Sequence, residues 1–477
     1  MMIGNPAPCG RAFVEAVDDA MRAHHPSHAM SATQRAWLAC CVTAVLVTNS
    51  MCWARCERAS LGTYALAALS WMFRHRKIPW DTRLVASVRV ILRPHDITSG
   101  HLVIDATDNP RSKAAKALAH RYKLREKERG GYLWGQGLVF LVLVTPTISL
   151  PVGVVFSQPA PALRAWDKQE KALKKPGVPK KQRPPNPGSN PQYPPKEPLA
   201  LRLREAFTAH HSPSRVPCLM ADALSGTATF VDAAAAIVGG GHVISQIRRP
   251  QTIRVGKREQ HVADYWATQP GTPQPLRIRG GQEMVATVGR ARLYVCSHHT
   301  KRVIVASKYN DAESYRSLIA SDLRWRTLAM VQGHTRRWLV EVLMQDWKSS
   351  EGWSPSTKQP GEEGARQSVI LSLLVDHRLF VHPDQQAQLK NNLPAYTVGS
   401  LRAHGQVECR VHVIDDLVSS DHPQDKLKHF TQALHEVFAF GPSTKPMIQR
   451  QLGRLEPTPF LKYRADEVMR NMPVLST

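Results

Sequence analysis

Two short apolar runs in this chain each end in an aspartate: His101-Leu-Val-Ile-Asp105 and Pro217-Cys-Leu-Met-Ala-Asp222. Runs of this length bounded by polar residues read as strands buried in a sheet. Helical segments lie between and after them, at Leu201–His210 and at Thr227–Val238. Strands alternating with helices predict a sheet covered by helices, an α/β architecture. Taken singly, each aspartate has an ordinary explanation, because loops begin at strand ends and use acids for local hydrogen bonds.

The remaining segments predict what surrounds that sheet. Residues 1–95 read as a helical N-terminal region, serving either as a DNA-binding module or as a packing layer. Ser31 and Gln34 have the spacing of a capping box ahead of an apolar run from Ala36. Helices are also expected at Ala59–Phe73 and Trp80–Leu92. After Asp105 come an Ala- and Lys-rich helical segment, Lys113–Tyr122, and strands at Leu138–Thr145 and Ile148–Phe156. Residues 167–196 combine Lys168, Lys171, Lys174, Lys175, Lys180, Lys181 and Arg183 with many prolines, which predicts an exposed basic loop.

Beyond Asp222 the reading continues through Gly239, Gly240 and Gly241 to a strand at Val243–Arg248, then a largely β stretch over 250–322. There Leu276 and Ile278 alternate with Arg277 and Arg279. Helices are expected at Thr335–Lys348 and Gln367–Phe380, with a break at Pro383. A strand candidate follows at Val407–Ile414 and a helix at Gln424–Phe438, so 393–477 reads as a mixed C-terminal region. Trp266 and Trp325 are expected to pack locally. Eight cysteines show no zinc-type spacing, and Cys52 and Cys56 lie in a helical pattern that predicts free thiols.

Charge narrows the partner. With 63 Lys and Arg against 38 Asp and Glu the net charge is +25, which favours a polyanion, nucleic acid first. No secretory signal is visible, and the apolar run Ala36–Val47 is too short to span a bilayer. The expectation is a cytoplasmic, nucleoid-associated protein with no membrane partner.

The chemistry becomes specific at His334-x2-Arg337-x3-Glu341-x6-Lys348. On one continuous helix these spacings put the polar groups on one face, with Leu339, Val342 and Leu343 turned to the core. A surface Arg–Glu pair would explain Arg337 and Glu341 but would give Lys348 no task. The segment resembles the signature helix of DDE transposases from bacterial insertion sequences, the group with a Tyr-x2-Arg-x3-Glu-x6-Lys signature. Here His334 replaces the tyrosine. Val103-Ile104-Asp105-Ala106-Thr107 is similar to that family's first catalytic strand, and Leu219-Met220-Ala221-Asp222 to the second. Gly241 to Arg248 resembles the pattern that commonly follows it.

The resemblance spans about residues 100–390. It implies an RNase H-like catalytic domain over 100–249 and 323–392, interrupted by a β-rich insertion at 250–322 and flanked by the two terminal regions. It also implies cleavage of double-stranded DNA at element ends, strand transfer into a target, and a homodimer assembled on DNA. Two Mg2+ ions, with Mn2+ able to substitute, would be held by Asp105, Asp222 and Glu341. Asp105 would bridge, with Asp222 on one ion and Glu341 on the other. Arg337, Lys348 and His334 would contact DNA phosphates. Asp108 ranks behind Asp105 as the first acid. An RNase H-like nuclease without strand transfer, or a catalytically decayed DNA-binding protein, would fit many of the same residues.

Overall fold

The structure is a computed structural model. It describes residues 6–437 apart from 113–114, 126–129, 212–215, 238–241, 249, 278–282, 310–311, 323, 351–352, 354–358, 392 and 394. Gly239, Gly240, Gly241, Ile278 and Arg279 therefore lie outside the described residues. The chain divides into two units, residues 1–426 and 427–477.

Five helices open it: α1 (Pro8–Arg22), α2 (Ala32–Thr48), α3 (Trp53–Ala59), α4 (Leu66–His75) and α5 (Trp80–Leu92). Ser31 and Gln34 close the expected capping box on α2: each accepts the other's backbone N–H. A turn separates α3 from α4 where one helix was expected. Trp37, Trp53, Phe73 and Trp80 pack tilted or edge-on at ring separations of 5.2–6.3 Å, fastening these helices together. No single described helix is long and apolar enough to cross a membrane. All eight cysteines are free thiols.

The sheet begins with β1 (His101–Arg111), β2 (Arg121–Arg125), β3 (Tyr132–Val144) and β4 (Ser149–Ser157). Then come α6 (Pro161–Lys174), α7 (Lys196–His210), β5 (Cys218–Ala221), α8 (Ala228–Ile237) and β6 (His242–Gln246). β4 and β3 run antiparallel, β3 is antiparallel to β1, and β1, β5 and β6 are mutually parallel neighbours. This is the RNase H-like arrangement, three antiparallel strands followed by two parallel ones, with β1 in the middle.

The β-rich insertion comprises β7 (Thr252–Val255), β8 (Arg258–His261), α9 (Val262–Thr268), β9 (Thr272–Arg277), β10 (Glu283–Val295), β11 (Thr300–Tyr309) and β12 (Arg316–Ala320). It does not form a separate sheet. β12 pairs antiparallel with β6 and carries the same sheet outward through β11 and β10. Trp266 is buried against Gly289, where any Cβ would fall 2.3 Å from the indole. Trp325 stacks on His242 at 4.4 Å.

After the sheet come α10 (Thr327–Thr335), α11 (Trp338–Ser350), α12 (Gly361–Phe380), α13 (Pro383–Lys390), α14 (Val398–Val418) and α15 (Pro423–Val437). Two hydrophobic layers sandwich the sheet. One joins α1–α4, α10–α12 and the Val103, Cys218 and Met220 face; the other joins α7–α9 and the Leu102, Ile104, Leu219 and Ala221 face.

Other expected elements differ as well. Residues 115–120 form turns, and Arg121–Arg125 pair with β3 in place of the helix expected up to Tyr122, because Tyr122 and Leu124 alternate into the core. Residues 161–174 continue as helix α6 into the expected basic loop, with Trp166 Nε1 donating to Pro184 O at 2.8 Å. Val407–Ile414 lies within helix α14, with Gly405 and Cys409 buried on its inner side.

Candidate functional site

Two strands bring the first two acids together. Val103 on β1 stands opposite Met220 on β5. Strand side chains repeat on one face every second residue. Asp105 and Asp222, two residues beyond that pair, therefore continue one row on one face. Asp222 directly follows β5, whereas β1, expected to end at Asp105, runs on to Arg111 because β3 pairs with it throughout. Asp108 is three residues from Asp105 on an unbroken strand and so belongs to the opposite face. The alternation itself prefers Asp105 over Asp108.

Glu341 comes from α11, which packs over β1. The core stripe of α11 is Val340, Leu343, Met344 and Trp347, whereas Val342, expected in the core, is only half-buried. Trp347 stacks on Trp353 at 5.0 Å, meets Phe140 edge-on at 5.0 Å, and donates to Ser372 Oγ at 3.0 Å. That indole locks the rotation of α11, which carries Glu341 to Arg337 beside Asp105. The expected continuous helix breaks between α10 and α11. The N–H groups of Arg336, Arg337, Leu339 and Val340 each reach three residues back, a tightened 3₁₀-like turn. His334 thus closes α10 while Glu341 opens α11, and the pair do not share one helix face.

Arg337 links the acids. Its guanidinium donates to Glu341 Oε1 at 2.6 Å and lies 3.5 Å from Asp105 Oδ2. An exposed Arg–Glu pair at this spacing contributes only about 0.3–0.5 kcal/mol, so its weight here is positional. Burial holds the Asp105 carboxyl above the usual carboxylate range. Arg337 and the Ala106 N–H pull it back, and the charges of Asp222 and Glu341 push it up again. Asp105 therefore stands within electrostatic reach of both other acids.

Lys348 lies along β1. Its Nζ donates to Asp108 O at 2.8 Å and to Thr107 Oγ1, and burial lowers its pKa against the pull of Asp108 and Asp105. Sequence reasoning gave Thr107 no role, and nothing in its local pattern marks it. His334 is half-buried. Burial and the charges of Arg337 and Arg316 bring its pKa down to about 4, so at neutral pH it offers a neutral imidazole and no cation.

A second polar cluster lies elsewhere in the same unit. Among the described residues, His382, Asp384 and His404 form the one group whose ligand atoms all lie within 4.8 Å of one another, with the donors and spacing to hold a single metal ion. Sequence reasoning missed it, although the Pro383 break marked the corner that carries two of its members.

No family model matches the chain, and neither does any curated protein. Among solved structures, the chain is similar to one from a cryo-EM study of a piggyBac transposase synaptic complex with hairpin DNA, at 10% sequence identity and a TM-score of 0.41, covering 94% of this chain and 87% of that one.

Proposed function

We propose that this chain is a DNA transposase of the three-carboxylate, metal-dependent kind. It would cut double-stranded DNA at element ends and join those ends to a target. One observation carries the reading: Asp105 within β1 and Asp222 directly after β5 fall in one row on neighbouring parallel strands, and a helix whose rotation is locked brings Glu341 to the Arg337 guanidinium beside Asp105. Fold alone would not support it, since RNase H-like sheets serve many purposes.

The donor set fits hard divalent ions such as Mg2+, because carboxylate oxygens are the ligands such ions take and a few of them leave positions open. Two ions bound by Asp105, Asp222 and Glu341 would supply activation of the attacking oxygen and neutralisation of the leaving one. The chain's own residues do the rest. Arg337 holds Asp105 and Glu341 in register and offsets their charge. Lys348 fixes the middle of β1, at Thr107 and Asp108, just past Asp105. Arg337 is the nearest cation for a scissile-strand phosphate, and the net charge of +25 favours a nucleoid-associated protein gripping DNA along its backbone. Cutting and joining two ends calls for a dimer on the DNA.

The test is Mg2+-dependent cleavage and joining of DNA bearing candidate element ends, run beside Asp105→Asn, Asp222→Asn and Glu341→Gln. The proposal expects both activities in the parent and neither in any variant, with DNA binding kept. Cleavage without joining would make the protein an RNase H-like nuclease. Binding without cleavage across Mg2+ and Mn2+ would make it a DNA-binding protein that no longer cuts.

A further inference from the structure

The corner between α12 and α13 holds a histidine whose chemistry is unfinished. His382 is the N-cap of α13, and its side chain is 5% exposed. Its Nε2 faces Glu408 at 3.4 Å, within hydrogen-bonding reach of that carboxylate. Its Nδ1 is buried and makes no hydrogen bond. An imidazole that donates from Nε2 leaves a bare lone pair on Nδ1. A buried nitrogen lone pair without a partner is costly, so it calls for an explanation.

The atoms ahead of that lone pair supply one. Asp384 Oδ2 lies 4.0 Å from His382 Nδ1 and also 4.0 Å from His404 Nε2. His404, one turn ahead of Glu408 on α14, directs its other nitrogen, Nδ1, toward Glu408 Oε1 at 3.9 Å. Glu408 therefore backs both rings from behind, while Asp384 and one nitrogen of each ring converge in front. In metal sites a ligating histidine gives its second N–H to a carboxylate in this way, which sets the tautomer and strengthens the ligand. Ligands at about 2.0–2.2 Å around a tetrahedral ion sit a little closer together than the separations found here. Asp384 and His404 are 57% and 52% exposed and free to close in.

We infer that His382 Nδ1, His404 Nε2 and Asp384 Oδ2 form a binding site for one Zn2+ ion, with Glu408 orienting both imidazoles. Two imidazoles and one carboxylate suit zinc rather than Mg2+, which prefers oxygen donors alone. A surface ion pair between Asp384 and His404 would account for those two residues but not for the buried, unbonded nitrogen of His382. The ion would join the start of α13 to α14. α14 already caps α2, through Arg402 and Gln406 donating to the carbonyls of Leu46 and Val47, and it packs on α11, which carries Glu341. The ligands share no residue with the Asp105 cluster, so the inference stands whether or not the transposase reading does.

Full-length protein would be stripped with chelator, loaded with Zn2+ or Co2+, and desalted. The expectation is one tightly held Zn2+ per chain and, with Co2+, the visible absorption of a low-coordinate N/O site. His404→Ala and Asp384→Asn, both at exposed side chains, should fold like the parent by circular dichroism and lose Zn2+ affinity by more than about 100-fold. Glu408→Gln should lose about 10–100-fold. Asp105→Asn and Glu341→Gln should keep the site intact. No Zn2+ retained by the parent, or undiminished retention in both His404→Ala and Asp384→Asn, would overturn the inference.

Discussion

The carboxylate site and the histidine corner gather distant residues by different means. Asp105 and Asp222 are positioned by sheet register, and Glu341 by a helix locked through its buried indole. There an internal cation, Arg337, already occupies the space between two of the proposed acids. At the histidine corner the groups come from a helix start and a helix face. Two of them are half exposed, yet the buried ring already turns one nitrogen to Glu408 and leaves the other unbonded toward Asp384. An ion bound as proposed at the first site would compete with a guanidinium. At the second it would only draw in two exposed side chains.

The largest effect should come from the acids. Asp222→Asn and Glu341→Gln should each cut metal-dependent cleavage by more than about 100-fold. Thermal melting should change little or rise, because Asp105 titrates upward partly under the charges of those two neighbours. A variant that lost activity and melting temperature together would show the acids to be structural, and the contrast between the two sites would collapse.

His377, on α12 ahead of the corner, supplies an internal control for a buried histidine. Both its nitrogens are bonded, Nδ1 with Ser87 Oγ at 2.7 Å and Nε2 with Pro151 O at 2.8 Å. Burial lowers its pKa to about 4. The folded state therefore refuses a proton that the unfolded chain takes up near pH 6.5. The associated stability is present above 6.5 and is lost as pH falls toward 4, by up to about 3 kcal/mol. Denaturant titrations across that range should show the loss with or without Zn2+, and His377→Gln should flatten it by about one proton. A Zn2+-dependent slope assigned to His377 would mean that bonded and unbonded histidines cannot be told apart by geometry here.

The same contrast explains what could be read from sequence. Asp105 and Asp222 were legible as acids following short apolar strands, but only β5 stops at its acid; β1 runs past Asp105 to Arg111 because β3 pairs with its polar half as well. The face they share was not legible, since register depends on pairing between distant segments. The break at Arg336 and Arg337 left no mark, because neither glycine nor proline makes it. Val407, Cys409 and Val411 alternate as a strand would, yet Gly405 and Cys409 are one helical turn apart and turn inward together. Short apolar patterns carry both periods, and packing against α2 decides. The histidine corner was hidden for another reason: His404 and Glu408 show helical spacing, but His382 and Asp384 reach them only through the turn at Pro383.

Arg337→Gln tests whether the guanidinium stands in an ion's place. Removing it takes away the largest influence holding the Asp105 carboxyl down, so that pKa should rise further and a full carboxylate should need higher pH. Above that range, at about pH 8, the variant should bind Mg2+ about tenfold more tightly, a difference of 1.4 kcal/mol. Calorimetric titration of parent and variant at pH 8 would measure it. Equal affinities would mean that Arg337 does not compete with the ion, and the two sites would be alike in that respect.

Lys348 gives the smallest and most discriminating effect. As a strut it ties α11 to β1 through Asp108 O and Thr107 Oγ1, so Lys348→Met should cost about 1–2 kcal/mol in a denaturant melt. As a phosphate contact it should leave stability alone and lower the salt dependence of DNA binding by about one unit of slope. The structure assigns its donors to β1, so the expectation is a lower midpoint with an unchanged slope. A shallower slope at unchanged stability would move Lys348 out of the scaffold and onto the DNA. Arg337 would then share the phosphate with it, and the carboxylate site would be supported on its β1 side by sheet register alone.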